Sequence, residues 1–225
     1  MDDSLITPAE RRRLRVRDSI LEAAERVFAQ EGEAGLSIRR IADEIDYSPA
    51  AIYKYFESKD ELVSELKEAF FGRILVSVHT IIGEETSFPV RARRCVSGYV
   101  RTALEKPHHY VAAFAGQVPE SSVLRDPCEF AGSNRSKAFA ILTGMVEEGL
   151  RDGYFRADLD TFDTAKFVWA AAHGIAMMIT HFGEFPNIVN MPSVRSQDEF
   201  VDFYSDLVVR SLEITPAAST GKGKA

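Results

Sequence analysis

The sequence has few cysteines and no long hydrophobic run. Its 225 residues include two cysteines, Cys95 and Cys128, whose spacing fits no metal site, so we expect two reduced thiols. No apolar run approaches the roughly 18 residues that a membrane-spanning helix needs. The N-terminal stretch "MDDSLITPAERRRLRVR" has no hydrophobic signal-peptide core. These absences predict a cytoplasmic protein.

The common catalytic motifs are also missing. There is no Gly-x-Ser-x-Gly, no phosphate-binding glycine loop and no His-Glu-x-x-His. His108 and His109 are adjacent, so on a helix they point to different sides and cannot bind one metal ion together. We therefore expect no enzyme activity, no cofactor and no metal.

Basic charge is scarce overall but locally concentrated. The net charge is −7, which does not by itself favour nucleic-acid binding. Residues 11–17, "RRRLRVR", nevertheless hold five arginines in seven positions. This run is either the solvated face of a helix start or a set of phosphate contacts belonging to a small DNA-binding module in an acidic host.

Helical periodicity runs along the whole chain, and no segment alternates convincingly as a strand does. After a first helix over residues 9–31, Ser37 precedes an apolar stripe with the spacing i, i+3, i+4, i+7, and is a good N-cap. Ser48 and Pro49 then open a third helix running to about Phe56, and Ser58 caps a fourth. Further helices are predicted over residues 88–105, 107–117, 133–151, 161–182 and 197–213.

The short helices around "DYS" form a helix-turn-helix pattern, in which the second helix enters the DNA major groove. Ile52 and Phe56 are four residues apart and should point into the core of the module. Tyr53, Lys54 and Tyr55 are then left to contact phosphates. The alternative is that the tyrosines only pack against neighbouring helices, which for Tyr55 is equally plausible.

Residues 14–62 resemble the DNA-binding domain of the TetR family of bacterial transcriptional repressors. The resemblance is carried by "ILEAAERVFAQEG" and "LSIRRIADEIDYSPAAIYKYFESKDEL". The matching positions are Ser37, Ile41, Ala42, Ser48, Ile52, Tyr53, Tyr55, Phe56, Ser58, Lys59 and Leu62. The match departs from the family pattern at Asp46, where Gly is usual, but Asp can adopt a left-handed backbone. It also departs at Pro49, which cannot supply a polar base contact.

The resemblance implies a DNA interface, with arginines from the N-terminal run reaching the minor groove or phosphates as an arm. The residues it implies for DNA binding are Ser37, Arg39, Arg40, Ser48, Pro49, Ala50, Ala51, Tyr53, Lys54, Tyr55 and Lys59. It also implies a C-terminal helical bundle that forms a homodimer and binds a small effector.

Two features of the C-terminal part agree with that implication. Residues 162–182 are apolar on more than one face, and "WAAAHG" within them resembles the Trp-His-Gly class of TetR C-terminal domains. The predicted dimer-interface residues are Phe167, Ala171, Phe200, Tyr204, Leu207 and Val208. The predicted effector-pocket residues are His109, Tyr110, Phe114, Phe139, Met145, Trp169, His173 and Met177. For each pocket residue, plain core packing is the competing interpretation.

The sequence therefore predicts an all-α protein of about nine helices, with an N-terminal helix-turn-helix three-helix module and a C-terminal helical bundle. The predicted division is a DNA-binding domain over 9–60, an effector-binding and dimerisation domain over 61–214 and a mobile tail over 215–225. The predicted function is a homodimeric, sequence-specific repressor that binds a palindromic double-stranded DNA operator and is released by a small apolar or amphipathic effector. The alternatives are an apolar-ligand-binding helical protein with a vestigial DNA module, and an activator or nonspecific architectural protein.

Overall fold

A computed structural model describes residues 7–114, 132–183, 185–188 and 190–214. Nine helices lie within these ranges, which confirms the all-α prediction for the described part of the chain. They are α1 Pro8–Gly35, α2 Ile38–Glu44, α3 Pro49–Ile52, α4 Lys59–Glu84, α5 Phe88–Glu105, α6 Pro107–Phe114, α7 Asn134–Arg151, α8 Thr161–His181 and α9 Gln197–Arg210. Cys128, the last residues of the predicted helix 107–117 and the predicted tail 215–225 lie outside the described residues.

Three helices differ from the sequence prediction. The last, α9, ends at Arg210 and not at residue 213. The first continues to Gly35 but is broken at Gly32, whose φ of 68° lies in the left-handed region that glycine adopts without a steric penalty. The third is shorter than predicted and ends at Ile52. The amides of Lys54 and Tyr55 then bond to carbonyls three residues back, at 3.3 and 2.9 Å, so the chain tightens into turns instead of continuing an α-helix.

The described chain forms two compact units. The first unit takes residues up to Val76 together with those between Thr102 and Lys137, and the second takes Ser77–Arg101 together with residues from Ala138 onward. Helices α4, α5 and α7 contribute residues to both units. The predicted domain boundary at residue 60 falls inside the first unit. That residues 9–60 act as the DNA-binding domain stays a prediction.

An apolar core holds the N-terminal helices of the first unit together. Burying a valine, leucine, isoleucine or phenylalanine side chain stabilises the fold by about 1.5–3 kcal/mol relative to leaving it exposed. The core therefore fixes the short helices α2 and α3, which are too short to be stable alone. Its buried members are Ile20, Ala23, Ala24, Val27, Phe28, Leu36, Ile38, Ile41, Ala42, Ile52, Phe56, Leu62 and Leu66.

The second unit combines close packing with ion pairs. Gly149 on α7 lies against the buried rings of Phe88 and Phe155, which meet edge to face with centroids 5.3 Å apart. Arg93 on α5 donates to Asp206 at 2.7 Å and to Glu213 at 2.6 Å. These bonds attach α9 and the segment after it to α5.

Candidate nucleic-acid interface

Two serine N-caps and one residue with a left-handed backbone conformation define where α2 and α3 begin and how the chain turns between them. The Ser37 hydroxyl oxygen accepts a hydrogen bond from the backbone N–H of Arg40, with an N–O distance of 3.2 Å. The Ser48 hydroxyl oxygen accepts one from the backbone N–H of Ala51, also at 3.2 Å. Asp46 has a φ of 55°, so it adopts the left-handed conformation expected where the family usually has glycine. The predicted caps and turn are confirmed.

The short helix α3 and the turn after it have one buried and one exposed side. Ile52 and Phe56 are fully buried, which confirms the predicted inward direction of both side chains. Tyr53 is 54% exposed, and Lys54 is exposed beside it. Pro49 and Ala50 are exposed as well, so small side chains and two polar ones share the outer side.

Some of the predicted DNA-binding residues are partly buried. Tyr55 is half-buried and packs against the apolar core, which is the packing alternative for this tyrosine. Ala51 and Lys59 are half-buried, whereas Ser37 and Ser48 are exposed. The exposed positions are therefore better placed for a direct contact with DNA than Tyr55 is.

The adjacent arginines of α2 have different environments. Arg39 is exposed. The Nε of Arg40 donates to Glu31 at 2.6 Å, and its Nη1 donates to Glu44 at 3.0 Å. The hydrogen bond to Glu31, followed by that to Glu44, raises the pKa of Arg40. Any phosphate contact by Arg40 would have to compete with both carboxylates.

The N-terminal arginines lie on α1 and not on an extended arm. Thr7 begins the helix, since its hydroxyl accepts the amide of Glu10 at 3.3 Å while its own amide donates to the Glu10 carboxylate at 2.8 Å. Arg17 pairs with Glu65 at 2.8 Å and lies over the Phe56 ring at 5.0 Å. The capped helix starts at Pro8, close to the predicted start at residue 9, and the contact of these arginines with DNA stays a prediction. Arg12, Arg13 and Arg15 are exposed on the surface of that helix.

The sequence argument missed Tyr47. It follows Asp46 in the turn, is 41% exposed, and its amide bonds to the carbonyl of Ala42 at 2.9 Å. The available signal was an aromatic residue in a tight turn, outside the apolar stripe that the core of the module requires. Tyr47 and Tyr53 are therefore the two exposed tyrosines between α2 and the turn after α3.

The predicted effector-pocket residues form one cluster in each unit. In the first unit, the ring of Tyr110 lies 5.1 Å from that of Phe114, and Tyr110 is fully buried. In the second, the Trp169 ring lies 5.3 Å from those of both Phe139 and His173. Met145 and Met177 are half-buried in the second unit, and the side chain of His109 lies outside the described residues.

His173 also has a polar partner within the second unit. Its Nδ1 lies 3.2 Å from the hydroxyl of Tyr99. Burial lowers the pKa of His173, which favours the neutral imidazole. A neutral ring that is hydrogen bonded and stacked on Trp169 fits a core role as well as a ligand contact.

The predicted dimer-interface residues differ in exposure. Phe167 on α8 and Leu207 on α9 are each 48% exposed. Tyr204 donates its hydroxyl proton to the carbonyl of Ala171 at 3.1 Å, which connects α9 to α8. Val208 is only 6% exposed and packs inside the protomer. Phe200 is half-buried, so Phe167 and Leu207 are the most accessible apolar members of the set.

Two further features are absent from the residues that the structure describes. None of the described helices combines the length and the apolar character needed to span a bilayer. The same residues contain no group of three or more histidine, cysteine, aspartate or glutamate side chains placed to hold a metal ion.

Comparison with known proteins identifies the family. Residues 20–66 match the model "Bacterial regulatory proteins, tetR family", and residues 92–203 match "Tetracyclin repressor-like, C-terminal domain". The chain is 25% identical over 154 residues to the HTH-type transcriptional repressor KstR2 of Mycobacterium tuberculosis, covering 68% of this chain and 75% of that protein.

Solved structures agree on the fold. The structure of KstR2 from M. tuberculosis is similar with a TM-score of 0.64 at 18% identity, covering 88% of this chain and 95% of that one. The fatty acid degradation regulator FadR of Bacillus halodurans gives a TM-score of 0.66 at 18% identity, over 86% and 94% of the two chains. With both family models matched in order along the sequence, the chain belongs to the TetR family of bacterial transcriptional regulators.

Proposed function

We propose that this protein is a homodimeric, sequence-specific DNA-binding repressor that a small apolar or amphipathic effector releases from its operator. The observation that supports DNA binding most directly is the two-sided α3 region. Ile52 and Phe56 are buried beneath it, while Tyr53 and Lys54 remain exposed. Repression as the direction of regulation is supported by the relative KstR2, which is described as a transcriptional repressor.

The small exposed side chains of α3 support its insertion into the major groove. The groove is about 12 Å wide and admits one helix. Pro49 and Ala50 are small and exposed, so the start of α3 can approach base edges closely, and the methyl group of Ala50 can contact a thymine methyl. The Tyr53 hydroxyl and the Lys54 ammonium would bind phosphates and fix the register of the helix on the duplex.

A homodimer would place two such helices on a palindromic operator. Helix-turn-helix dimers bind half-sites about 34–36 Å apart, which is one turn of B-form DNA. The exposed apolar side chains Phe167 and Leu207 support pairing through α8 and α9, because such side chains are stabilised by burial against a second copy. An effector that prefers a dimer geometry with another spacing would shift the population away from the DNA-bound form.

Binding to DNA from the region upstream of the protein's own gene tests this function, with mobility shift and footprinting as the measurements. We expect one protected palindrome and an affinity that falls steeply with salt, because binding releases counterions from the phosphates. Lys54→Ala should weaken binding and reduce the salt slope by about 1, the effect of losing one phosphate contact. Tyr53→Phe should weaken binding without that change of slope, since it removes no charge.

Lys166→Ala is the matched control. This lysine is also exposed, but it lies on α8 and pairs with Asp163 at 2.9 Å. It should leave DNA binding unchanged. Weak binding that is indifferent to sequence would instead indicate an apolar-ligand-binding protein with a vestigial DNA module. Protection of many unrelated sites would indicate an architectural protein.

A further inference from the structure

The first unit contains a partly buried arginine with two buried nitrogen atoms that lack hydrogen-bond partners among the described residues. Arg73 lies on α4, and its Nε and Nη2 atoms are buried without a hydrogen-bond partner among the described residues. Glu105, at the end of α5 in the same unit, attracts the guanidinium electrostatically but forms no hydrogen bond with it in the described structure. Burial, which Glu105 only partly offsets, lowers the pKa of Arg73.

Three other partly buried arginines of the described chain have carboxylate partners for their guanidinium groups. Arg93 donates to Asp206 and Glu213, and Arg91 pairs with Glu148. Arg17 pairs with Glu65. A buried guanidinium N–H without an acceptor costs free energy, so sequences normally provide one. Arg73 departs from the pattern that the chain follows at these positions.

The two unsatisfied atoms have a specific geometry. The Nε–H and one Nη2–H lie on the same edge of the planar guanidinium and point in parallel. That edge matches the two oxygens of a carboxylate, which can accept both bonds at once. The geometry therefore favours a planar anion over a neutral acceptor.

An aromatic cluster lies on the same side of α4 as Arg73. Phe70 precedes Arg73 by three residues, a spacing that places the two side chains on the same side of a helix. The Phe70 ring lies 5.5 Å from that of Tyr110 and 5.8 Å from that of Phe114. Phe70 and Tyr110 are fully buried and Phe114 is half-buried, so the cluster is accessible at Phe114 alone among the three rings. A cation beside apolar rings is suited to a ligand with an acidic head and an apolar body.

We propose that Arg73 binds the carboxylate of the effector, and that the effector's apolar body packs on the aromatic cluster at its accessible ring, Phe114. The inference deepens the proposed function, on which it rests, by naming the effector class as apolar carboxylic acids. Sequence reasoning placed Tyr110 and Phe114 in a candidate pocket but neither Phe70 nor Arg73.

Calorimetric titration of the full-length protein with decanoate and with decan-1-ol tests the proposal, since the two probes differ in the acidic head group. The wild-type protein should bind decanoate at least tenfold more tightly than decanol. Arg73→Gln should reduce the decanoate affinity to that of decanol and leave the decanol affinity unchanged. Arg94→Gln is the matched control, because Arg94 already pairs with Glu84 at 3.0 Å, and it should behave as the wild type does.

Thermal unfolding of the ligand-free proteins shows whether Arg73→Gln is folded. Its Tm should equal or exceed that of the wild type, because the substitution removes a partly buried charge whose Nε and Nη2 atoms lack hydrogen-bond partners among the described residues. A wild-type protein with no preference for decanoate, or an Arg73→Gln variant that keeps the preference, would overturn the proposal. Both titrations omit DNA, so a failure of operator binding would count against the proposed function alone.

Discussion

At the scale of single residues, Ser37 combines a structural and a proposed functional role. Its hydroxyl caps α2 by accepting the Arg40 amide, and the side chain is exposed where a phosphate could approach. Ser37→Ala should lower the free energy of unfolding by about 1 kcal/mol, because the first turn of α2 loses its cap. Ser37→Asp should retain that stability, since aspartate caps as well as serine does. Urea denaturation measures both effects.

DNA binding separates the two roles of Ser37. The aspartate variant carries a negative charge toward the proposed phosphate, so its operator affinity in a mobility-shift assay should fall although the protein is as stable as the wild type. Ser37→Asn provides the neutral control, which should keep the cap without adding the charge. Unchanged operator affinity for Ser37→Asp would show that Ser37 faces no phosphate.

At the scale of elements, α7 contains two glycines in contrasting surroundings. A Cβ on Gly149 would lie 2.8 Å from Cζ of Phe88 and closer still to the ring of Phe155, and both rings are buried. Gly149→Ala should therefore lower the free energy of unfolding by about 1–3 kcal/mol through overpacking. The measurement is chemical denaturation followed by circular dichroism.

Gly144 lies on the same helix and is the control for this substitution. A Cβ there meets nothing within 4 Å. Gly144→Ala should raise the free energy of unfolding by about 0.5–1 kcal/mol, because alanine loses less conformational entropy in a helix than glycine does. Equal effects of the two substitutions would mean that α7 does not pack against Phe88 and Phe155 as described.

At the scale of the whole molecule, the proposed dimer can be tested through its exposed apolar residues. The double substitution Phe167→Glu and Leu207→Glu should yield a folded monomer, because both side chains are about half exposed in the protomer and like charges would meet across the interface. Operator affinity should then fall by on the order of 10²-fold or more, since the two half-sites are no longer bound together. Sedimentation and mobility-shift titration are the measurements.

Val90→Glu is the control for the dimer test. Val90 is also an exposed apolar residue, but it lies on α5. Its substitution should leave both the oligomeric state and the operator affinity unchanged. A double variant that sediments as a dimer would place the interface away from Phe167 and Leu207.

Predictions from sequence succeeded where the determining interactions are local. The caps at Ser37 and Ser48 and the inward side of Ile52 and Phe56 follow from residues three or four positions apart, and the structure confirms them. The end of α3 was placed too late, because the switch to three-residue turns after Ile52 leaves no clear sequence signal. The hydrogen bond from Arg40 to Glu31 was also missed, since Glu31 belongs to another helix, on the far side of the break at Gly32.

The sequence by itself determined the helices, their caps and the family pattern, because each depends on hydrogen bonds and apolar spacing within a few residues. Only the tertiary structure decided which arginine side chains have a carboxylate partner and which could bind a ligand. Arg17 pairs with Glu65, whereas two buried nitrogen atoms of the partly buried Arg73 lack acceptors among the described residues. The physical reason is that the state of a charged side chain depends on burial and on the distance to partners that lie far away along the chain.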